Sequence, residues 1–181
     1  MKKIILYYKI HPGDPSRVLR LRAASKFTKD PVENFTESTG IHGKPYFPSH
    51  PHVHFSVSHT DGLWVCAFAD SKIGCDVQEY RPNDTPERLK RLAKRWFSDG
   101  ERQYLDEYGY EASEFYRIWA RKEAYVKFTG DGIGAGNFPS FDVTVPIDGC
   151  VMRDIVLPYE TNHAAAIVCT EKFETELREL P

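Results

Sequence analysis

The segment YRIWARKEAYVKFTGDGI, residues 116–133, sets Trp119, Lys122, Glu123 and Lys127 at helical spacing and breaks at Gly130. Glu123 stands four residues before Lys127, the favourable order for a surface ion pair worth only about 0.2–0.5 kcal/mol. That plain reading would suffice if the face were wet. Trp119, however, lies four residues before Glu123 and marks their shared face as partly buried. A carboxylate flanked by two ammonium groups there is a candidate functional acid.

A second acid stands in the segment KIGCDVQ, residues 72–78. On a strand Asp76 and Gln78 leave the same face, and Glu79 points to the other unless a bulge intervenes. An aspartate among Ile73, Cys75 and Val77 must be justified by solvent, a turn or a cation, and a strand-end turn is the simplest of the three.

Other motifs are weaker. GDGIGA at 130–135 has the glycine spacing of dinucleotide folds but follows a helix and precedes a strand, the reverse of the required context. HPHVH at 50–54 has three histidines in a proline-broken stretch and no acid or cysteine nearby to complete a zinc shell. Arg88, Arg91 and Arg95 form a basic helix face, ordinarily solvated surface. Cys66, Cys75, Cys150 and Cys169 sit singly in apolar segments, without the spacing of zinc or redox pairs, and read as buried thiols.

The elements that must position these residues follow from periodicity. KIILYYKI at 3–10 reads as a strand and SRVLRLRAASKF at 16–27 as an amphipathic helix. The prolines of GKPYFPSHPH forbid a helix there. VHFSVSH at 53–59 alternates apolar and polar residues and delivers Ser58 and His59 at its end. With 63–69 and 72–78 it predicts a three-stranded antiparallel meander. Thr85 and Pro86 open a helix whose Leu89, Leu92, Ala93, Trp96 and Phe97 share one face. Ser98 and Glu101 have capping-box spacing, and the helix containing Glu123 runs to about Phe128 with Gly130 as C-cap. Strands near 141–146, 151–157 and 163–170 close the chain. This segregation predicts an α+β fold, two halves meeting near residues 80–86, although no internal repeat is visible.

A chain of 181 residues, 41 % hydrophobic and 28 % charged, can build a sizeable core. No apolar run approaches the ~20 residues of a membrane span, and MKKIILYYKIH turns polar too soon for a signal peptide, so a soluble cytoplasmic protein is expected. Residues 1–60 carry nine Lys/Arg against four Asp/Glu, and the remainder fifteen against twenty-two, within a net charge of −2. The basic end suits a small polyanion. A pI near 6.4 without a basic stripe disfavours nucleic acid.

GKPYFP, FSVSH, IGCDVQ, RWFSDGE and WARKEAYVK, in this order and approximate spacing, resemble the Sfp-type 4'-phosphopantetheinyl transferases. The resemblance covers residues 43–135 well. It implies a pseudo-twofold pair of α/β halves with antiparallel sheets, here 1–82 and 83–181, in a monomer that is its own pseudo-dimer. It further implies coenzyme A as co-substrate, Mg²⁺ (or Mn²⁺) as cofactor, and an apo acyl or peptidyl carrier protein as acceptor, with no membrane or nucleic-acid partner. By resemblance, Asp76, Glu123 and Gln78 are the metal positions and Glu123 also receives the serine proton. Lys127 contacts phosphate and protonates the departing 3',5'-ADP, with Lys122 a further cation. Lys44, Ser58, His59 and Asp76 join Lys122 and Lys127 among the coenzyme A contacts. Arg17, Arg20 and Arg22 are the candidates for its 3'-phosphate, and Arg88, Arg91 and Arg95 for docking an acidic carrier helix.

Two departures stand out. Gln78 replaces the second acid most such enzymes carry, offering an amide oxygen without charge. The stretch before GKP is also short, so part of the usual first half is missing. These departures keep open a non-catalytic relative that binds coenzyme A or a carrier; a histidine metalloprotein built on HPHVH is the weaker alternative.

Overall fold

The computed structural model describes residues 2–40, 42–132, 138–158 and 162–181. Residues 133–135 of GDGIGA fall outside them. Strand β1 (Lys2–Ile10) leads to helix α1 (Ser16–Thr28), a 3-10 turn (Val32–Asn34), and the two-residue strands β2 (Ser38–Thr39) and β3 (Pro45–Tyr46). β4 (His54–His59), β5 (Leu63–Ala69) and β6 (Ile73–Glu79) follow, then helices α2 (Pro86–Trp96), α3 (Asp99–Glu107) and α4 (Ala112–Thr129). A second 3-10 turn (Phe138–Ser140) precedes β7 (Val151–Asp154), β8 (His163–Cys169) and β9 (Phe173–Glu179).

Local signals set the helices. Thr85 accepts the Arg88 amide at the start of α2. Ser98 and Glu101 form the complete capping box of α3. Gly130 ends α4 at φ 85°, a left-handed conformation open to glycine at no steric cost.

The α+β expectation holds, with sheets that are mostly antiparallel: one ordered β4-β5-β1-β9 and one ordered β6-β8-β7. The four-stranded sheet is mixed, because β9 lies parallel to β1. Ile4, Leu6, Val65 and Ala67 of this sheet pack against Cys75, Val77, Ala165 and Ile167 of the other. Leu19, Ala23 and Ala24 of α1 cover the outer face of the first sheet, and α2–α4 pack with Ala164, Ala166 and Val168 on the outer face of the second. The order of layers is therefore helix, sheet, sheet, helices.

Two expectations are corrected, and one strand is additional. The meander does not form: β5 already has β4 and β1 on its two edges, so β6 has no free partner there and begins the second sheet with β8. Residues 141–146 are not a strand. Asp142 folds back to accept from the Thr144 amide, and the Val143 amide goes to Glu101, leaving no run of amides for a ladder. β9 was not foreseen, since FETELRE alternates apolar residues with charges and reads locally as surface.

Candidate active site

Asp76 is a central residue of β6, not a turn residue, and is 3 % exposed. Its burial follows from a close approach of strand and helix. A Cβ on Gly74 would lie 2.0 Å from the Ala124 carbonyl, so only glycine lets β6 meet α4 there. That contact brings two acids and a lysine together.

Asp76 Oδ1 accepts from Ser58 Oγ at 2.7 Å and from Lys127 Nζ at 2.6 Å, and Oδ2 accepts from Gln78 Nε2 at 2.7 Å. Lys127 Nζ also donates to the Val57 carbonyl at 3.2 Å. Burial alone would push Lys127 down, but Asp76, with Glu123 adding to it, holds its pKa above the ordinary value. Lys127 thus pairs with Asp76 and not with Glu123, and the plain surface-pair reading of Glu123 and Lys127 does not apply.

Glu123 is 8 % exposed. Burial, and then the neighbouring Asp76 charge, push its carboxyl up to about 7; Lys127 and a hydrogen bond with Trp119 only partly oppose this. Two carboxyls thus share one ammonium in a dry place. A divalent cation would relieve the imbalance, and the available donors are the oxygens such an ion selects: two carboxyls and the Gln78 amide, whose oxygen would need to turn inward. The residues therefore fit Mg²⁺.

Of the other expected site residues, Lys44 and Ser58 reach this cluster. Lys44 Nζ donates to the Ile73 and Lys127 carbonyls at 2.8 and 2.7 Å, tying its loop to the start of β6 and the end of α4. Burial, joined by Lys72 and Lys127, lowers its pKa to about 8. A cavity of about 270 Å³, lined by Lys44, Pro45, Phe55, Val57, Val126 and Lys127 among others, opens beside it. No spacing in the sequence pointed to this cavity. His59 is exposed at the end of β4.

Lys122 is not beside the acids. It is 0 % exposed, with Nζ 2.8 Å from each Glu101 oxygen and 2.7 Å from the Phe141 carbonyl. Its place is the helical core, so it cannot be a free phosphate contact. The capping-box reading of Glu101 was right but incomplete. An acid at N3 that is fully buried needs a cation, and Lys122 lies in line with apolar Phe115 and Ile118 rather than with Trp119.

The arginines of α1 are held on the outer face of the first sheet. Arg20 grips Glu37 with Nε and Nη2 at 2.7 Å each, Arg17 Nε lies 4.0 Å from Glu37, and Arg22 pairs with Asp14. On α2, Arg88 is spent on Asp84, Arg95 stacks over Trp96, and Arg91 is exposed. His50 is hydrogen-bonded to Ser49 and Asp30 and stacks on Phe35. Among the described residues no group of three histidines, cysteines or acids is placed to hold a metal.

Residues 72–171, which include β6, α4 and both acids, match the 4'-phosphopantetheinyl transferase superfamily. The chain belongs to that superfamily. It is 33 % identical over 139 residues to a 4'-phosphopantetheinyl transferase of Bacillus subtilis, covering 76 % of this chain and 59 % of the relative. It is 37 % identical over 123 residues to 4'-phosphopantetheinyl transferase Sfp of Bacillus subtilis strain 168, covering 65 % and 51 %. With 4'-phosphopantetheinyl transferase AcpT of Salmonella typhi it shares 34 % identity over 110 residues, covering 59 % and 55 %. The chain thus spans little more than half the length of these curated relatives. Among the described residues no helix is long and apolar enough to cross a membrane.

Proposed function

We propose that this member of the superfamily transfers 4'-phosphopantetheine from coenzyme A to a serine hydroxyl of an apo acyl or peptidyl carrier protein, releasing 3',5'-ADP. The new bond joins the serine oxygen to the β-phosphorus. The bond between that phosphorus and the oxygen bridging to the 3',5'-ADP moiety breaks, and its electron pair leaves with the nucleotide. The observation that carries this reading is the buried meeting of Asp76, Glu123 and Lys127, where Lys127 Nζ lies 2.6 Å from Asp76 Oδ1 and Glu123 is left as a second acid with no ammonium of its own, able to hold a cation and to take the serine proton. Lys127 faces the same space and meets the charge that grows on the departing nucleotide. Asp76 and Glu123, with Gln78 Oε1, would hold Mg²⁺, which when bound supplies neutralisation of the pyrophosphate charge. Ser58 and Lys127 orient Asp76 for that task, and Lys44 closes the cavity wall against the end of α4.

We also read the chain as two halves, 1–82 and 83–181, related by a pseudo-twofold axis in a cytoplasmic monomer, with coenzyme A between them. Support comes from the two sheets, each flanked by helices on its outer side, with β6 of the first half joining the second sheet and β9 of the second half joining the first.

The test is labelling of apo carrier domains with a fluorescent coenzyme A analogue and Mg²⁺. Glu123→Gln should lose about 10²–10⁴-fold in rate with an unchanged circular dichroism spectrum. An undiminished rate would remove Glu123 from the mechanism, and no labelling by the parent across several carriers and metals would remove transfer. A second reading, a relative that binds without turnover, is favoured by Asp76 already accepting three hydrogen bonds. Calorimetry showing coenzyme A binding without labelling would select it.

A further inference from the structure

The faces that carry the acids continue beyond them. On α4, Tyr116 lies seven residues before Glu123, nearly two turns up the same face and about 10 Å along the axis. On the partner strand, Tyr80 lies four residues after Asp76 and two after Gln78, on the same side. The two tyrosines meet: their rings stack with centroids 5.5 Å apart and an interplanar angle of 27°.

This pair is fixed from behind. The Tyr116 hydroxyl donates to Asp84 Oδ2 at 2.6 Å, and Asp84 is in turn gripped by Arg88 and accepts from the Arg81 amide. The Tyr80 amide donates to the Asn162 carbonyl at 2.7 Å, and Asn162 Nδ2 returns a bond to the Tyr80 carbonyl. Tyr116 is buried, whereas Tyr80 stays partly exposed. A held aromatic surface costs little entropy to use, which is what a recognition element for an apolar side chain requires.

We infer that Tyr80, backed by Tyr116, is a specificity-determining shelf that receives an apolar side chain next to the acceptor serine. The inference rests on the transfer reading above. A serine hydroxyl at Glu123 and the side-chain tip of its chain neighbour are roughly 7–10 Å apart, given 3.8 Å between consecutive Cα atoms, and this is close to the ~10 Å along α4 from Glu123 to Tyr116, which backs the shelf. Arg88 then acts through Asp84 as a brace for the shelf rather than as a docking charge. The shelf is thereby assigned to the acceptor side alone.

The experiment uses two apo carrier domains identical except that the residue after the acceptor serine is leucine in one and asparagine in the other. The full chain should prefer the leucine carrier by about tenfold in kcat/KM, expressed in the carrier KM. Tyr80→Ser should cut the preference below about twofold and leave the KM for coenzyme A within about twofold, while Tyr80→Phe should keep the preference. If Tyr80→Ser does not fold, Tyr80→Thr, which suits a strand end, carries the same expectation. Equal use of both carriers by the parent, a preference that survives loss of the ring, or a coenzyme A KM that rises with the carrier KM would each overturn the shelf while transfer stands. Labelling of neither carrier by the parent would overturn transfer and the shelf with it.

Discussion

Helix α4 carries two lysines paired with acids, and the two pairs differ in how they are balanced. Lys122 gives its ammonium protons to Glu101 and the Phe141 carbonyl, with the rings of Phe97, Phe138 and Phe141 around it, the last centred 4.1 Å away. Glu101 also accepts the Ser98 and Val143 amides. One charge meets one charge, and the donors and acceptors are spoken for. The Lys127 pair instead has Glu123 beside it, so two buried acids compete for one ammonium, and that lysine also lines the cavity. A saturated pair can only hold the fold together, while an unbalanced one has capacity left for an ion or a proton.

The sharpest way to break this comparison is to unbalance the sealed pair. Burial pushes Lys122 down and Glu101 up, against the pull of each on the other, so desolvation dominates at both. Lys122→Met should leave Glu101 buried without a cation and cost about 3–5 kcal/mol. Lys122→Met combined with Glu101→Gln should recover more than half of that, since a neutral pair carries no Born penalty. Urea unfolding of the parent and the two variants decides it: a double variant no more stable than Lys122→Met would mean that the cost lies in lost packing and hydrogen bonds and not in the orphaned charge.

The unbalanced pair should show the opposite sign. An acid whose folded pKa is raised is fully protonated in both states below about 4.5. As pH rises toward 7 the unfolded chain releases its proton first, so this group's contribution favours unfolding and stability falls until about pH 7. Glu123→Gln should therefore be more stable than the parent at pH 8, by about 2–3 kcal/mol, with the gap closing near pH 4. Equal stability at pH 8 would show that Glu123 carries no such strain.

Why the sequence revealed some of this and not the rest follows from the range of each interaction. Thr85, the Ser98–Glu101 box and Gly130 act within one turn of backbone, so the helices were legible. The partners of Asp76 are not local: Ser58 lies 18 residues before it and Lys127 51 after, and only the Gly74 contact brings them into reach. Spacing therefore singles out Glu123 and reads Asp76 as a strand-end turn, and it is the family resemblance that marks Asp76 and Lys127; neither predicts that Lys127 pairs with Asp76. Lys122 was misplaced because adjacency to Glu123 was weighed above helical phase; consecutive residues diverge by about 100°, which turned it onto the face of Phe115 and Ile118. Sheet membership was least legible, since nothing in residues 72–78 states that both edges of β5 are taken.

The smallest expected effect concerns Gln78, the neutral member of the unbalanced site. Its amide now donates to Asp76 Oδ2, so Gln78→Glu would replace a donor with a third carboxyl facing two others. Without a divalent ion that repulsion should destabilise the protein by about 1 kcal/mol, or roughly 2–4 °C in Tm for a chain of this size. With Mg²⁺ the order should reverse, because the added charge tightens ion binding and a tighter ligand stabilises the folded state. Thermal melts of both proteins with and without Mg²⁺ give the four values. A variant whose Tm is unmoved in the metal-free state would place Gln78 away from Asp76, and the acids would then have to be oriented by Ser58 and Lys127 alone.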